Sequence, residues 1–316
     1  MKAIQITEFG GPEVMKFVDI ADPVASEGSV ILDVSAIGIN YADTHQTENS
    51  YLSEQKLPLI PGMEVVGTLP DGRRVLALAP FGGYCQKTLV DPKQVIFLPD
   101  AISDAQALSM MVQGLTAYHI LKTLGDLKSG QSVVIHAAAG GVGSIAIQLA
   151  KLWGGFVIAV TSSQDKKNLA LELGADVVID AQEADLKSAI KAGNGGKSVD
   201  LVLEMVGGKT FDQSLEALGT FGKIITYGMA SRQSPKMIHP SALMARSQSV
   251  SGFWLANCFG KPELVNKVLL ELFDLIESGK LKPIIGGTFP LSQAVKAHQS
   301  MLARKSVGKI VLDPKA

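Results

Sequence analysis

Val133-Val134-Ile135-His136-Ala137-Ala138-Ala139-Gly140-Gly141-Val142-Gly143-Ser144-Ile145-Ala146-Ile147-Gln148 reads as an apolar strand, a glycine turn and the start of an amphipathic helix. Glycines let a backbone approach phosphate groups. The N–H groups at the positive end of the following helix favour negative charge, so the stretch predicts a pyrophosphate-binding turn. The turn runs Ala137-x-x-Gly140-x-x-Gly143, a variant with alanine where the first glycine of the fingerprint normally stands. Glycine-rich strand-to-helix junctions also occur for packing alone, so the surrounding chain has to decide between the two readings.

Outward from this turn, strand-like and helix-like segments alternate from Ser132 to about Phe253. The strands fall at 133–135, 156–160, 177–179, 201–203, 223–227 and 249–253. Six such strands predict a doubly wound parallel sheet of the Rossmann type. Before it, short apolar runs at 30–37, 65–69, 74–78 and 94–97 are separated by Pro58, Pro61, Asp71-Gly72, Gly82-Gly83 and Pro92, the pattern of a β-rich unit. Ser103-Asp104-Ala105-Gln106 looks like a helix start, opening a periodic stretch that reaches about Leu124. After the parallel sheet come a helix over 262–278, a strand over 282–289, a helix over 291–304 and a strand over 309–312. The expected division is 1–118 completed by 255–316, and 119–254.

The totals exclude several classes. A chain of 316 residues, 47% hydrophobic and 19% charged, has ample material for buried cores. A net charge of −1 offers no basic excess for nucleic acid or anionic membranes. Cys85 and Cys258 stand far apart and suit a reducing, cytoplasmic setting rather than a disulfide framework. Met1-Lys2-Ala3-Ile4-Gln5-Ile6-Thr7-Glu8 has no basic start leading into an apolar run, so no secretory signal is expected. The uncharged stretch 129–150 is long enough to cross a bilayer, but its glycines, histidine and glutamines argue against a span.

Where an NAD-binding sheet places an acidic residue for the ribose hydroxyls, the second parallel strand ends in Val160-Thr161-Ser162-Ser163-Gln164-Asp165-Lys166-Lys167. Ser162 and Ser163 offer hydrogen bonds and Lys166 offers charge to a 2′-phosphate, which favours NADPH over NADH. An ordinary helix start with solvated lysines is the competing reading.

The chain resembles the medium-chain dehydrogenase/reductase superfamily and, within it, the zinc-independent quinone oxidoreductases related to zeta-crystallin. The likeness rests, in order, on Gly38-Ile39-Asn40-Tyr41-Ala42-Asp43, Pro61-Gly62-Met63-Glu64-Val65-Val66-Gly67, Gln113-Gly114-Leu115-Thr116-Ala117-Tyr118, the glycine turn, Gly252-Phe253-Trp254-Leu255 and Ser306-Val307-Gly308-Lys309-Ile310-Val311-Leu312. It implies a GroES-like catalytic domain beside the Rossmann domain, and a homodimer. Asn40 resembles the asparagine near nicotinamide and acceptor, Tyr41 is a candidate cleft residue, and Tyr51 resembles the tyrosine that faces the acceptor. The arginine that precedes this tyrosine in the family is absent, with Gln46 near its position. Thr116, Gly140, Gly141, Val142, Tyr227, Gly228, Phe253, Trp254, Leu255, Ser306, Gly308 and Lys309 resemble cofactor contacts. Tyr227-Gly228, Phe253-Trp254-Leu255 and the last loop are equally readable as a strand exit, apolar core and a solvated loop.

Zinc alcohol dehydrogenases of the superfamily carry a Cys where Gly38-Ile39-Asn40 stands and Gly-His-Glu where Gly62-Met63-Glu64 stands. Met63 cannot replace an imidazole ligand, and the structural cysteine lobe is missing, so no metal is expected. Without a Lewis acid to hold an alkoxide, hydride delivery to an electron-poor acceptor is the more plausible chemistry. The resemblance therefore implies an NADPH-dependent reductase of quinones or α,β-unsaturated carbonyls. Its rivals are a trans-2-enoyl-thioester reductase and a non-catalytic, crystallin-like NADPH-binding protein.

Overall fold

The computed structural model describes residues 1–50, 52–80 and 82–316. The chain divides into two compact units, residues 1–113 with 269–279 and 283–316, and residues 114–268 with 280–282. In chain order the first part of unit one holds β1 (Lys2–Gln5), β2 (Lys16–Asp19), β3 (Val30–Ile39), α1 (Tyr41–Glu48), β4 (Glu64–Thr68), β5 (Arg74–Leu78), β6 (Lys87–Val90), β7 (Ile96–Phe97) and α2 (Asp104–Ser109). Unit two holds α3 (Leu115–Tyr118), β8 (Ser132–His136), α4 (Gly141–Leu152), β9 (Phe156–Thr161), α5 (Gln164–Glu172), β10 (Val177–Asp180), α6 (Leu186–Gly193), β11 (Val199–Glu204), α7 (Gly208–Ala217), β12 (Leu218–Thr226), α8 (Pro240–Met244) and β13 (Ser249–Gly252). The chain then runs through α9 (Asn266–Glu277), β14 (Ile285–Pro290), α10 (Ala294–Leu302) and β15 (Lys309–Asp313).

Unit one is organised by a sheet of order β14-β15-β3-β4-β5-β7, with β6 also paired to β3. Only β14 and β15 run parallel; the other pairs are antiparallel. A register shift against β4 between Val34 and Ala36 sets which β3 side chains face inward. Strand side chains alternate with period two, so one extra residue changes the parity of the buried set. Leu32 and Val34 before the shift, and Ile37 and Ile39 after it, therefore join the same core, with Tyr84, Leu291, Ile310 and Leu312. The shift brings Asn40, at the head of α1, to the edge of that core.

Unit two is a six-stranded sheet, every pair parallel, of order β10-β9-β8-β11-β12-β13. Counted from β8 this is 3-2-1-4-5-6, the doubly wound Rossmann order that the alternating pattern predicts. β8 is buried along its whole length, as expected of a central strand covered on both faces. Ile158 and Val160 of β9 pack with Leu186, Ile190 and Phe211 of α6 and α7.

The structure differs from the sequence reading at element boundaries and in elements that the reading does not name: β1, β2, α1 and β6. The helix start at Ser103 carries a capping box: Ser103 Oγ accepts from Gln106 N, and Ser103 N donates to the Gln106 side chain. The stretch beyond it is not one α-helix, because π-helical turns over Met110–Gly114 and His119–Thr123 flank α3. A π-turn keeps the apolar residues inward while adding a residue, so hydrophobic spacing does not expose it. β12 begins before the expected Lys223, β7 keeps only the last two residues of 94–97, and β14 starts at Ile285 rather than 282.

Candidate active site

The glycine turn of unit two joins β8 to α4. Gly140 is the N-cap of α4 and has no side-chain cap, which leaves the first-turn N–H groups without partners in the helix. Gly141 and Val142 begin the helix. A Cβ on Gly143 would lie 2.5 Å from Ala137 O and 2.6 Å from Ala138 Cα, so only glycine allows this close turn. Ala137 adopts φ 49°, the left-handed region that explains why relatives of this turn favour glycine there. Ala138 N donates to Val160 O at 3.2 Å, tying the turn to the end of β9.

At that end Thr161 is buried and its Oγ1 has no hydrogen-bond partner among the described residues. Ser162 is half-buried, and Ser163 is the N-cap of α5 without a side-chain cap. Lys167, not Lys166, pairs with Asp180 of β10, Nζ to Oδ2 at 2.9 Å. Lys166 is half-buried in the first turn of α5. These features suit a dinucleotide: open main-chain donors, an orphaned hydroxyl and lysine charge meet at the carboxyl edge of the sheet. NADPH bound there would be held at its phosphates by the α4 N–H groups, and it would supply a hydride.

The other unit-two candidates lie in α3 and just beyond the ends of β12 and β13. Thr116 is buried in α3, and Tyr227 and Gly228 follow β12, Tyr227 half-buried and Gly228 exposed. Burial pushes the Tyr227 phenol up, with the nearby Glu204 carboxylate adding to the effect. Glu204, which sequence reasoning missed, ends β11 fully buried; its Oε1 accepts from Val206 N at 2.8 Å and Gly207 N at 3.0 Å. Burial raises its carboxyl above the usual range. Phe253 follows β13, with N donating to Thr226 O at 2.8 Å and its ring 5.9 Å from that of His119. Trp254 and buried Leu255 begin a short 3-10 turn.

In unit one, Asn40 lies in a buried polar network. Its Nδ2 donates to Glu64 Oε1 at 2.7 Å, and its Oδ1 accepts from Lys309 Nζ at 3.2 Å. Lys309 also donates to Ile39 O at 3.1 Å and pairs closely with Glu64. Both side chains of that pair are 0% exposed. Glu64 Oε2 accepts from Val112 N at 3.1 Å. A Cβ on Gly38 would lie 2.4 Å from Glu64 Oε1, so the glycine that precedes Ile39-Asn40 is what makes room for the carboxylate.

A second branch starts at Asp43, whose Oδ2 accepts from Asn40 N at 2.9 Å and from the Tyr84 hydroxyl at 2.8 Å. Tyr84 Oη lies 2.9 Å from His298 Nε2. Since the Tyr84 proton goes to Asp43, His298 Nε2 carries a proton and donates to Tyr84. Among the described residues Asp43 Oδ1 and His298 Nδ1 have no hydrogen-bond partners. Burial raises the Asp43 carboxyl to about 7 and lowers His298 to about 4.

Tyr41 opens α1 with its ring edge-on to His45, centroids 5.9 Å apart. Gln46 accepts from Gly62 N at 3.0 Å. Tyr51, the expected acceptor-facing tyrosine, lies outside the described residues. Ser306 and Gly308 are half-buried beside Lys309, whose ammonium is directed into the unit-one network. Among the described residues no three His, Cys, Asp or Glu side chains group so as to hold a metal ion.

Residues 26–100 match the family model of the alcohol dehydrogenase GroES-like domain, and residues 141–274 match that of the zinc-binding dehydrogenases. The chain is 30% identical to the quinone oxidoreductase of Sus scrofa over 99% of its own length and 97% of the relative's. Its fold matches the Escherichia coli quinone oxidoreductase complexed with NADPH at TM-score 0.93 and 31% identity, over 99% of this chain and 100% of that one. A Thermus thermophilus quinone oxidoreductase, solved alone and with NADPH, matches at TM-score 0.87 and 36% identity, again over 99% and 100%.

Proposed function

Since the chain belongs to the quinone oxidoreductase family of medium-chain dehydrogenases/reductases, we propose that it is an NADPH-dependent reductase of quinones. The observation that carries this is the uncapped glycine turn entering α4 at the switch point of a 3-2-1-4-5-6 sheet. NADPH supplies the hydride when bound, and the protein's own residues hold and orient it.

Gly140, Gly141 and Val142 offer main-chain donors to the pyrophosphate, Ser162 and Lys166 read the 2′-phosphate, and Thr116, Tyr227, Gly228, Phe253, Trp254, Leu255, Ser306 and Gly308 serve the nicotinamide half. Asn40 and Tyr41, with Tyr51, serve the acceptor. Lys309 and Glu64 fix the Asn40 amide, since each of its polar atoms is bonded to one of them. The reaction proceeds without zinc, because Met63 and an Asn40 amide already engaged offer no ligand set. α,β-Unsaturated carbonyls belong to the acceptor range. No helix among the described residues is long and apolar enough to cross a membrane. A homodimer in the cytoplasm completes the proposal; light scattering reads the assembly.

The test is NADPH oxidation followed optically with a series of quinones, enones and enoyl thioesters. Turnover with quinones is expected. Turnover of thioesters alone, or binding without turnover of any acceptor, would overturn the proposal.

Lys166→Ala tests the cofactor preference. A hydrogen bond to a charged group contributes about 1 to 3 kcal/mol, so NADPH affinity is expected to fall by that amount while NADH affinity barely changes. Isothermal titration with both nucleotides gives the answer, and equal losses would remove Lys166 from phosphate recognition.

A further inference from the structure

We propose that Glu204 is a positioning residue for the nicotinamide half of the cofactor: its buried side chain shapes the 205–207 turn, on which Tyr227 and Gly228 rest. The inference rests on the reading that gives those two residues to the nicotinamide, and it adds the group that holds them in place.

Glu204 ends β11, the strand that pairs with β8 across the switch point of the 3-2-1-4-5-6 sheet. It is 0% exposed, a costly place for a carboxylate. Its partners are two main-chain amides of its own turn: Oε1 accepts from Val206 N at 2.8 Å and Gly207 N at 3.0 Å, and Oε2 from Gly207 N at 3.2 Å. Gly207 is buried as well, so its amide depends on this carboxylate. Hydrogen bonds to a charged acceptor are stronger than neutral ones, and here they hold the turn in one shape.

The turn in turn carries the exit of β12. Beyond the ladder pair of Glu204 and Thr226, Tyr227 N donates to Glu204 O at 3.0 Å, Ala230 N to Met205 O at 2.9 Å and Ser231 N to Val206 O at 2.9 Å. Gly228 packs directly on Met205. A Cβ on Gly228 would lie 3.2 Å from both Met205 Cβ and Met205 O. Burial pushes the Tyr227 phenol up and the Glu204 carboxylate adds to the effect, so the two side chains share one environment. The main chain over 204–206 therefore sets where residues 227–231 stand.

Charge agrees with this division of the crevice. The start of α4 presents uncapped N–H groups to phosphate, whereas the turn that leads into α7 already holds an anion of its own. A phosphate is repelled there and the uncharged ring of a reduced nicotinamide is not.

Glu204→Leu removes both acceptor oxygens, and Glu204→Gln keeps one in place for Val206 N and Gly207 N. Gly228→Ala presses on Met205 from the other side without touching the carboxylate, and it carries the test if the leucine variant does not fold. Calorimetric titration with NADPH is paired with adenosine 2′,5′-bisphosphate, which lacks the nicotinamide half. The leucine and alanine variants are expected to bind NADPH about tenfold more weakly, as for one lost hydrogen bond, with bisphosphate affinity unchanged. Glutamine should retain most of the NADPH affinity. Unchanged NADPH affinity in the leucine or alanine variant, a parallel loss for the bisphosphate in a folded variant, or a glutamine variant as weak as the leucine one would each overturn the inference. If the parent protein itself bound no NADPH, the functional reading would fail instead.

Discussion

Lys309→Met is expected to destabilise unit one by about 3 to 5 kcal/mol, the range for removing one member of a buried ion pair. Lys309 and Glu64 are both inaccessible to solvent, and the ammonium bridges Glu64, the Asn40 amide and Ile39 O. Without it, Glu64 keeps only neutral donors, Asn40 Nδ2 and Val112 N, against the full cost of a buried carboxylate. Methionine fits the volume but brings no donor. The companion Glu64→Gln change leaves the opposite charge stranded. The double variant removes both charges and should recover about 2 to 3 kcal/mol of the summed losses, the coupling expected of contacting partners. Hydrogen exchange of β3, β4 and β15 amides reads unit one separately from unit two. A single-variant loss below about 1 kcal/mol, in the range of ordinary surface changes, would mean that water reaches Glu64 and that the pair does not organise the site.

That pair also marks where sequence reading stops. The parallel sheet was legible because each strand and each crossover helix announces itself locally, in apolar runs and in the glycine turn at Ala137 to Gly143. The Ser103 capping box was legible for the same reason, as four consecutive residues. The unit-one network is assembled across 24 positions from Asn40 to Glu64, 245 from Glu64 to Lys309 and 214 from Tyr84 to His298. No periodicity connects such distances. Asp43 and Glu64 stand inside motifs that assign them no role, and the last loop points Lys309 toward the cofactor, because a motif carries residue types but not the direction of a side chain. One local signal was available: Gly38 before Ile39-Asn40 fits a strand residue against which a buried group presses, and that group is the Glu64 carboxylate. Glu204 left no comparable trace, since a carboxylate bonding amides two and three residues ahead looks like any polar strand exit.

Asp43→Asn is expected to make unit one acid-sensitive, by uncovering a balance between two groups bonded to the same tyrosine. Asp43 has its carboxyl raised by burial from 3.8 to about 7, so the folded state holds the proton more tightly than the unfolded chain. Its contribution to stability is fully present below pH 3.8 and is lost as pH rises through 7, about 4 kcal/mol in all at about 1.4 kcal/mol per pH unit. His298 is lowered by burial from 6.5 to about 4, so its contribution is present above pH 6.5 and is lost as pH falls through 4, about 3 kcal/mol. Over the shared window the two slopes oppose one another and nearly cancel. Asparagine at 43 still accepts from Asn40 N and Tyr84 Oη but does not titrate, leaving the His298 slope exposed. Stability of the variant should then fall by about 3 kcal/mol between pH 7 and pH 4 relative to the parent trend. His298→Gln, whose amide donates to Tyr84, should tilt the profile the other way, toward greater stability in acid. Denaturant unfolding of unit one, followed by exchange of the same strand amides across that range, measures both. Parallel pH profiles for the parent and the Asp43→Asn variant would show that Asp43 ionises in the folded protein as freely as in the unfolded chain, and the proton assigned to the Asp43, Tyr84 and His298 chain would have to be withdrawn.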